Sequence, residues 1–177
     1  MINRNKVVLV DEKDTVLAEM DKLKAHQQGL LHRAFSVFIF NKKEQLLLQQ
    51  RAQEKYHGGG LWTNTCCSHP QWGDNVKESA EERLHMEMGL DCTLIYSHAF
   101  MYKVAVENNL IEHEYDHVFY GFSDQKPILN KAEVQAYKWL SIEEINQELL
   151  THPEQYTYWF KLAFPKVIKD LKASGKI

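Results

Sequence analysis

The chain has 177 residues, of which 44% are apolar and 25% charged, enough for one domain with a substantial core and ordinary for a globular protein. A net charge of −3 gives no electrostatic footprint for nucleic acid, and no apolar run is long enough to cross a bilayer. Three cysteines, Cys66, Cys67 and Cys92, form an odd set with two members adjacent, which makes a poor disulfide framework and suits a reducing cytosol.

The N-terminal stretch MINRNKVVLVDEKD has too short an apolar run for a signal peptide and meets acidic residues at once. Val7 to Val10 reads as a short strand and Asp11 to Asp14 as a charged turn. Val16 to Lys24 mixes strand and helix signals. Ala25 to Arg33 reads as a loop carrying His26 and His32. Phe35 to Phe40 is a nearly unbroken run of aromatic and branched residues, the pattern of a buried strand, and Gln45 to Gln50 reads as its hairpin return. A polar loop with Arg51 and Lys55 follows and ends at Gly58-Gly59-Gly60, where the backbone is free to approach a ligand.

The stretch LWTNTCCSH, from Leu61 to His69, places the Cys67 thiol two residues before the His69 imidazole. In an extended segment both would face one side, with Cys66 turned away into packing. Asn75 to Met88 reads as a helix. Asn75 and Glu78 fit a cap, Val76, Ala80, Leu84 and Met88 form an apolar stripe, and Gly89 supplies the stop. On this helix Arg83 and Glu87 are one turn apart and face the same way, fitting either a surface ion pair or a phosphate and cation site.

Cys92 to Val106 is β-rich and holds Tyr102. Leu110 to Phe122 reads as its partner strand, with Glu112 and Glu114 on one face and His113 and Tyr115 on the other. Two carboxylates side by side repel unless a cation or proton lies between them. Val134 to Leu140 is a further strand, and Ser141 with Glu144 forms a capping box for a short helix to about Leu150. Gln155 to Ala163 is an aromatic-rich helix containing Trp159, which Pro165 is expected to end or kink. The tail reads as a basic amphipathic helix. No repeat or low-complexity linker interrupts the chain, so residues 1–177 are read as a single unit. The order of elements indicates an α+β or α/β/α sandwich on a mixed sheet. His26, His32, His69, Glu112 and Glu114 would suit a zinc, manganese or magnesium ion if the fold gathers them.

WTNTCCSHP, followed by Gly73 and a helix ending MEMGL, resembles the type I isopentenyl-diphosphate isomerases of the Nudix superfamily. His26 and His32 with the following AFSVFIF, Arg51, Lys55, Tyr102, the Glu112-His113-Glu114 segment and Trp159 stand in the family's order, so the resemblance runs over roughly residues 5 to 165. A hydrolytic Nudix helix reads Gly, five residues, Glu, then Arg-Glu and a Glu-Glu pair before Gly. Here Glu78 comes one residue early, Glu82-Arg83 stands in place of Arg-Glu, and Met86-Glu87 replaces the pair. The resemblance therefore implies a kept scaffold with isomerase rather than hydrolase chemistry.

It also implies a substrate and a set of roles. The substrate would be a small prenyl diphosphate, interconverted between isopentenyl and dimethylallyl forms in isoprenoid biosynthesis, in the cytoplasm, with no nucleic-acid or membrane partner and an open oligomeric state. Glu114, tuned by a metal and by Tyr102, would donate a proton, and the Cys67 thiolate would receive one on the opposite face; the reverse reaction exchanges the roles. Trp159 would face the cationic intermediate or simply pack in its helix. Lys22 (or its neighbour Lys24), Arg51, Lys55 and Arg83 would hold the diphosphate. Mg2+ would bridge it to Glu87 and the Cys67 carbonyl, and a second divalent ion, Mn2+, Zn2+ or Mg2+, would sit on His26, His32, His69, Glu112 and Glu114. Two other readings stay open: a Nudix hydrolase using carboxylates of the 75–88 helix, and a structural zinc site on Cys66, Cys67, His69 and another His.

Overall fold

The computed structural model describes residues 5–177, so the first four residues of the N-terminal stretch lie outside the described residues. The strands are β1 (Lys6–Val10), β2 (Val16–Asp21), β3 (His32–Phe40), β4 (Leu46–Arg51), β5 (Trp62–Thr63), β6 (Cys66–Ser68), β7 (Ile95–Val106), β8 (Leu110–Phe122) and β9 (Val134–Leu140). The α-helices are α1 (Lys22–Gln28), α2 (Val76–Met88), α3 (Ile142–Thr151) and α4 (Tyr158–Ala173).

All nine strands of the described residues join one mixed sheet. β3 lies at its centre, parallel to β8 from His32↔Glu114 to Phe40↔Phe122, while β6 pairs antiparallel with it through Phe35↔Ser68, Ser36↔Cys67 and Val37↔Cys66. Alternation along β3 divides the interior in two. Phe35, Val37 and Ile39 pack with Cys66, Ala80, Leu84 and Met88 beneath α2, whereas Phe38 and Phe40 pack with Phe160, Ala163, Phe164 and Val167 of α4. Helices thus cover both faces, the expected α/β/α sandwich. No helix of the described residues is long and apolar enough to cross a membrane.

Three expectations need correcting. The stretch from Ala25 is not a loop: α1 occupies Lys22–Gln28, with the Asp21 side chain accepting from the Lys24 amide and Gly29 closing it at φ 61°. Seven residues are too few to show helical periodicity. β3 and β4 touch only at Phe40↔Leu46 and then diverge, and β4 runs instead along β9 from Leu46↔Leu140 to Arg51↔Val134. Pro165 neither ends nor divides its helix, since α4 continues through it to Ala173. The proline ring is exposed, while Phe160, Ala163, Phe164, Val167, Ile168 and Leu171 bury the other side, and that burial outweighs one lost backbone bond.

Candidate active site

At one end of the sheet a cavity of about 200 Å³ collects side chains from distant parts of the chain. β6 supplies Cys67 and the residue after it is followed by His69, and both line the cavity; Cys66, one peptide away, is fully buried in the α2-side core. Glu112 and Glu114 reach the cavity from β8, Arg83 and Glu87 from α2, Lys22 from α1 and Trp159 from α4. Lys24, the alternative to Lys22, is exposed and is not part of the lining. Cys67 and Glu114 therefore open onto the same space.

One half of the cavity gathers imidazoles and carboxylates. Lys22 C=O lies 2.7 Å from His26 Nδ1, and Leu30 C=O lies 2.8 Å from His32 Nδ1. Each ring is thereby turned so that Nε2 points inward, 3.3 Å from Glu112 Oε2 for His26 and 3.7 Å from Glu114 Oε1 for His32. His69 Nε2 is 2.9 Å from Glu114 Oε1, and Tyr102 Oη donates to Glu114 Oε2 at 2.7 Å. Burial opposes the charge on both acids, and Glu112 also opposes that on Glu114; the imidazoles of His26 and His57 nevertheless hold Glu112 well below the usual carboxylate range, and those of His32 and His69 hold Glu114 below it. Burial pushes His69 down to about 4, so its ring is neutral near pH 7, whereas the Glu112 carboxylate outweighs burial and raises His26.

A divalent cation fits this half. His26 Nε2, His32 Nε2 and Glu112 Oε2 are buried polar atoms without a hydrogen-bond partner, an unusual state for such atoms. Backbone carbonyls orienting the far nitrogens of two histidines are the arrangement that metal-ligating imidazoles adopt. His26, His32, His69 and Glu114 converge on one point, and His26, His57 and Glu112 on an adjoining one. No cysteine belongs to either group, so the Cys66, Cys67 and His69 zinc site is not assembled among the described residues.

The other half is cationic. Lys22, Arg51, Lys55 and Arg83 line it, together with Glu87 and Glu133. Arg83 donates to Glu87 Oε1 from Nε at 3.1 Å and from Nη2 at 2.5 Å, so this pair is buried rather than a surface ion pair. Gln49 Nε2 donates to the other Glu87 oxygen at 3.3 Å. Lys55 pairs with Glu133, whose second oxygen lies 3.3 Å from Arg83 Nη2. Arg51 Nη1 stands 3.7 Å from Cys67 Sγ, and its guanidinium lies 5.2 Å over the Trp159 ring. Burial pushes the Cys67 thiol up to about 12 despite that guanidinium. Of the acids on α2 only Glu87 lines the cavity; Glu78 and Glu82 are exposed elsewhere, so a hydrolytic carboxylate cluster is not formed there.

Three ionisable lining residues, Tyr56, His57 and Glu133, lie outside the sequence expectations, as does Gln49 just behind them. His57 sits beside three glycines in a loop, and Glu133 lies in a polar connection before β9. Neither position has a period or spacing that sets it apart from an ordinary surface charge.

Comparison with known proteins places this geometry among relatives. The NUDIX domain family matches residues 30–161. A Pectobacterium atrosepticum protein named isopentenyl-diphosphate Delta-isomerase is 51% identical over 91% of this chain and 90% of its own length. A Serratia proteamaculans protein of the same name is 45% identical over 95% and 92%, respectively. Among solved structures, a Deinococcus radiodurans protein superposes with a TM-score of 0.69 at 17% identity, covering 83% of this chain and 90% of that one. A MutT protein of Methanosarcina mazei gives 0.67 at 18% identity over 80% and 96%. At such identity these two share the fold alone.

Proposed function

Because the chain belongs to the Nudix family and, within it, to the isopentenyl-diphosphate Delta-isomerases, we propose how its cavity carries out that family's reaction. The enzyme interconverts isopentenyl diphosphate and dimethylallyl diphosphate and is divalent-metal dependent. The observation carrying our assignment of roles is that one thiol and one carboxyl, Cys67 and Glu114, line a cavity whose other half is cationic.

An unactivated alkene gains a proton only from a positioned acid in a site closed to water. In the forward direction Glu114, as the carboxylic acid, gives its proton to the terminal CH2 carbon, which becomes a methyl. Positive charge develops at the branched carbon. Cys67, as thiolate, takes a proton from the carbon next to the CH2O group, and the electron pair of that C–H bond becomes the new double bond. The pair ends as thiol and carboxylate: the proton from Glu114 stays in the new methyl, and a different proton, from the carbon beside CH2O, ends on Cys67. The low position of Glu114 and the raised position of Cys67 describe that same form, the one ready for the reverse reaction. Tyr102 fixes Glu114 by its hydrogen bond, and Trp159 walls the cavity with its π system.

Lys22, Arg51, Lys55 and Arg83 bind the diphosphate, Arg through forked donors and Lys as point charges. His26, His32, His69, Glu112 and Glu114 would hold one divalent ion, Mn2+, Zn2+ or Mg2+, and Glu87 with the Cys67 carbonyl would hold Mg2+ against the diphosphate. Such ions supply fixed positive charge that positions and tunes Glu114 on one side and neutralises substrate charge on the other.

Exchange of deuterium from D2O into both prenyl diphosphates tests the assignment directly. The wild-type enzyme should incorporate it, and Cys67→Ala and Glu114→Gln should each lose at least about a thousandfold in turnover while staying folded. Near-normal turnover in either variant would remove that residue from the scheme. Diphosphate release without double-bond migration would replace isomerisation by hydrolysis.

A further inference from the structure

His57 is buried to 6% exposure, and its Nε2 lies 2.7 Å from Glu112 Oε1. At that distance the two groups share a hydrogen bond, with the ring nitrogen turned onto one carboxyl oxygen of Glu112. His57 Nδ1 is buried without a partner, so a second N–H there would face no acceptor. The nitrogen nearest the site is thus engaged with Glu112, and the other lies across the ring from it.

The consequence falls on Glu112. With Oε1 engaged by His57, Oε2 is the oxygen turned toward His26 Nε2, 3.3 Å away, and neither of those two atoms has a hydrogen-bond partner. The backbone around His57 is fixed from several sides. Its carbonyl accepts from Arg51 Nη2 at 3.1 Å, and the Gly58 carbonyl accepts from Arg51 Nε at 3.1 Å. The turn between β7 and β8 grips the same loop, Asn108 Nδ2 donating to the Tyr56 carbonyl at 2.7 Å and Gly58 N–H to Glu107 at 3.2 Å. The ring also stands edge-on to Trp159, 6.1 Å between centroids.

We propose that His57 is a positioning residue for the divalent-metal site, donating from Nε2 to Glu112 Oε1 so that Glu112 Oε2 is presented to the ion as a fixed ligand. This rests on the His and Glu metal site proposed above and adds a residue that acts on the site without joining it. Outer hydrogen bonds of this kind orient ligands and raise metal affinity.

Mn2+ titration of the metal-free protein, followed by calorimetry and by electron spin echo spectroscopy, tests it without reference to turnover. His57→Leu keeps the bulk and loses the donor, and should weaken Mn2+ binding about 10- to 100-fold. His57→Gln places an amide N–H near the position of Nε2 and should restore affinity to within about threefold of wild type. The echo modulation should show three coordinated imidazoles in wild type and in His57→Gln alike. Four in wild type would make His57 a ligand and overturn the proposal. So would wild-type affinity in His57→Leu, or His57→Gln as weak as His57→Leu. A wild-type protein that binds no Mn2+ would instead overturn the metal site itself, and the role of His57 with it.

Discussion

Burial raises the Cys67 thiol to about 12 although the Arg51 guanidinium stands 3.7 Å from the sulfur. Desolvation of a thiolate outweighs one partly engaged cation, because Arg51 also donates to the carbonyls of His57 and Gly58. At pH 8 a thiol with that pKa is ionised to about one part in ten thousand. Inactivation by iodoacetamide should therefore be slow at pH 7 and quicken about tenfold per pH unit to pH 10. A plateau near pH 8 or 9 would show that the guanidinium prevails. Side-chain parity sets Cys67 with His69 and Glu112 with Glu114, since residues two apart in a strand face one way, whereas the pairing of Cys67 with Glu114 is legible only through the family resemblance. His57 and Glu133 are legible in neither way, because their loops have no periodicity and only the folded chain shows what they meet.

At the level of elements, legibility tracks length and pattern. β8 was readable to its end residues because acids alternate with larger groups across a long run, and α2 because a cap, a stripe and a stop agree. α1 was not, being one short helix whose cap is a single Asp21 side chain. At Pro165 of α4 local propensity gives way to a buried face on both sides of the proline. Replacing Pro165 by Ala restores an N–H that can reach the Lys161 carbonyl. Since the position is exposed, no packing is lost. Pro165→Ala should raise stability by about 1 to 3 kcal/mol in urea unfolding, with no change in m-value. An unchanged midpoint would mean that the proline's restriction of the unfolded chain already balances the missing bond.

Across the whole molecule, the metal-site candidates come from α1, the first residue of β3, the residue just past β6 and the first half of β8's alternation, which only the folded sheet brings together. A cation bound there stabilises the native state alone, by about 2.7 kcal/mol at a hundred times its Kd. Mn2+ should accordingly raise Tm by roughly 5 to 10 °C, and chelation should reverse this. The rise should shrink as pH falls through neutrality, because His26, whose pKa is raised, then holds a proton that the ion must displace, whereas His69 stays neutral down to about 4. A rise independent of pH would place the ion away from His26. The sheet also decides which of two neighbouring sulfurs is useful. Ser36 meets Cys67 and Val37 meets Cys66 across β3 and β6, so odd and even positions send one sulfur to the cavity and the other under α2. Were this three-residue strand to dock one step out of phase, the sulfurs would trade places. Every reacting group would survive in the chain, and the protein would still be inert, because the count of peptide units between Thr63 and Cys67 tells the molecule which thiol is which.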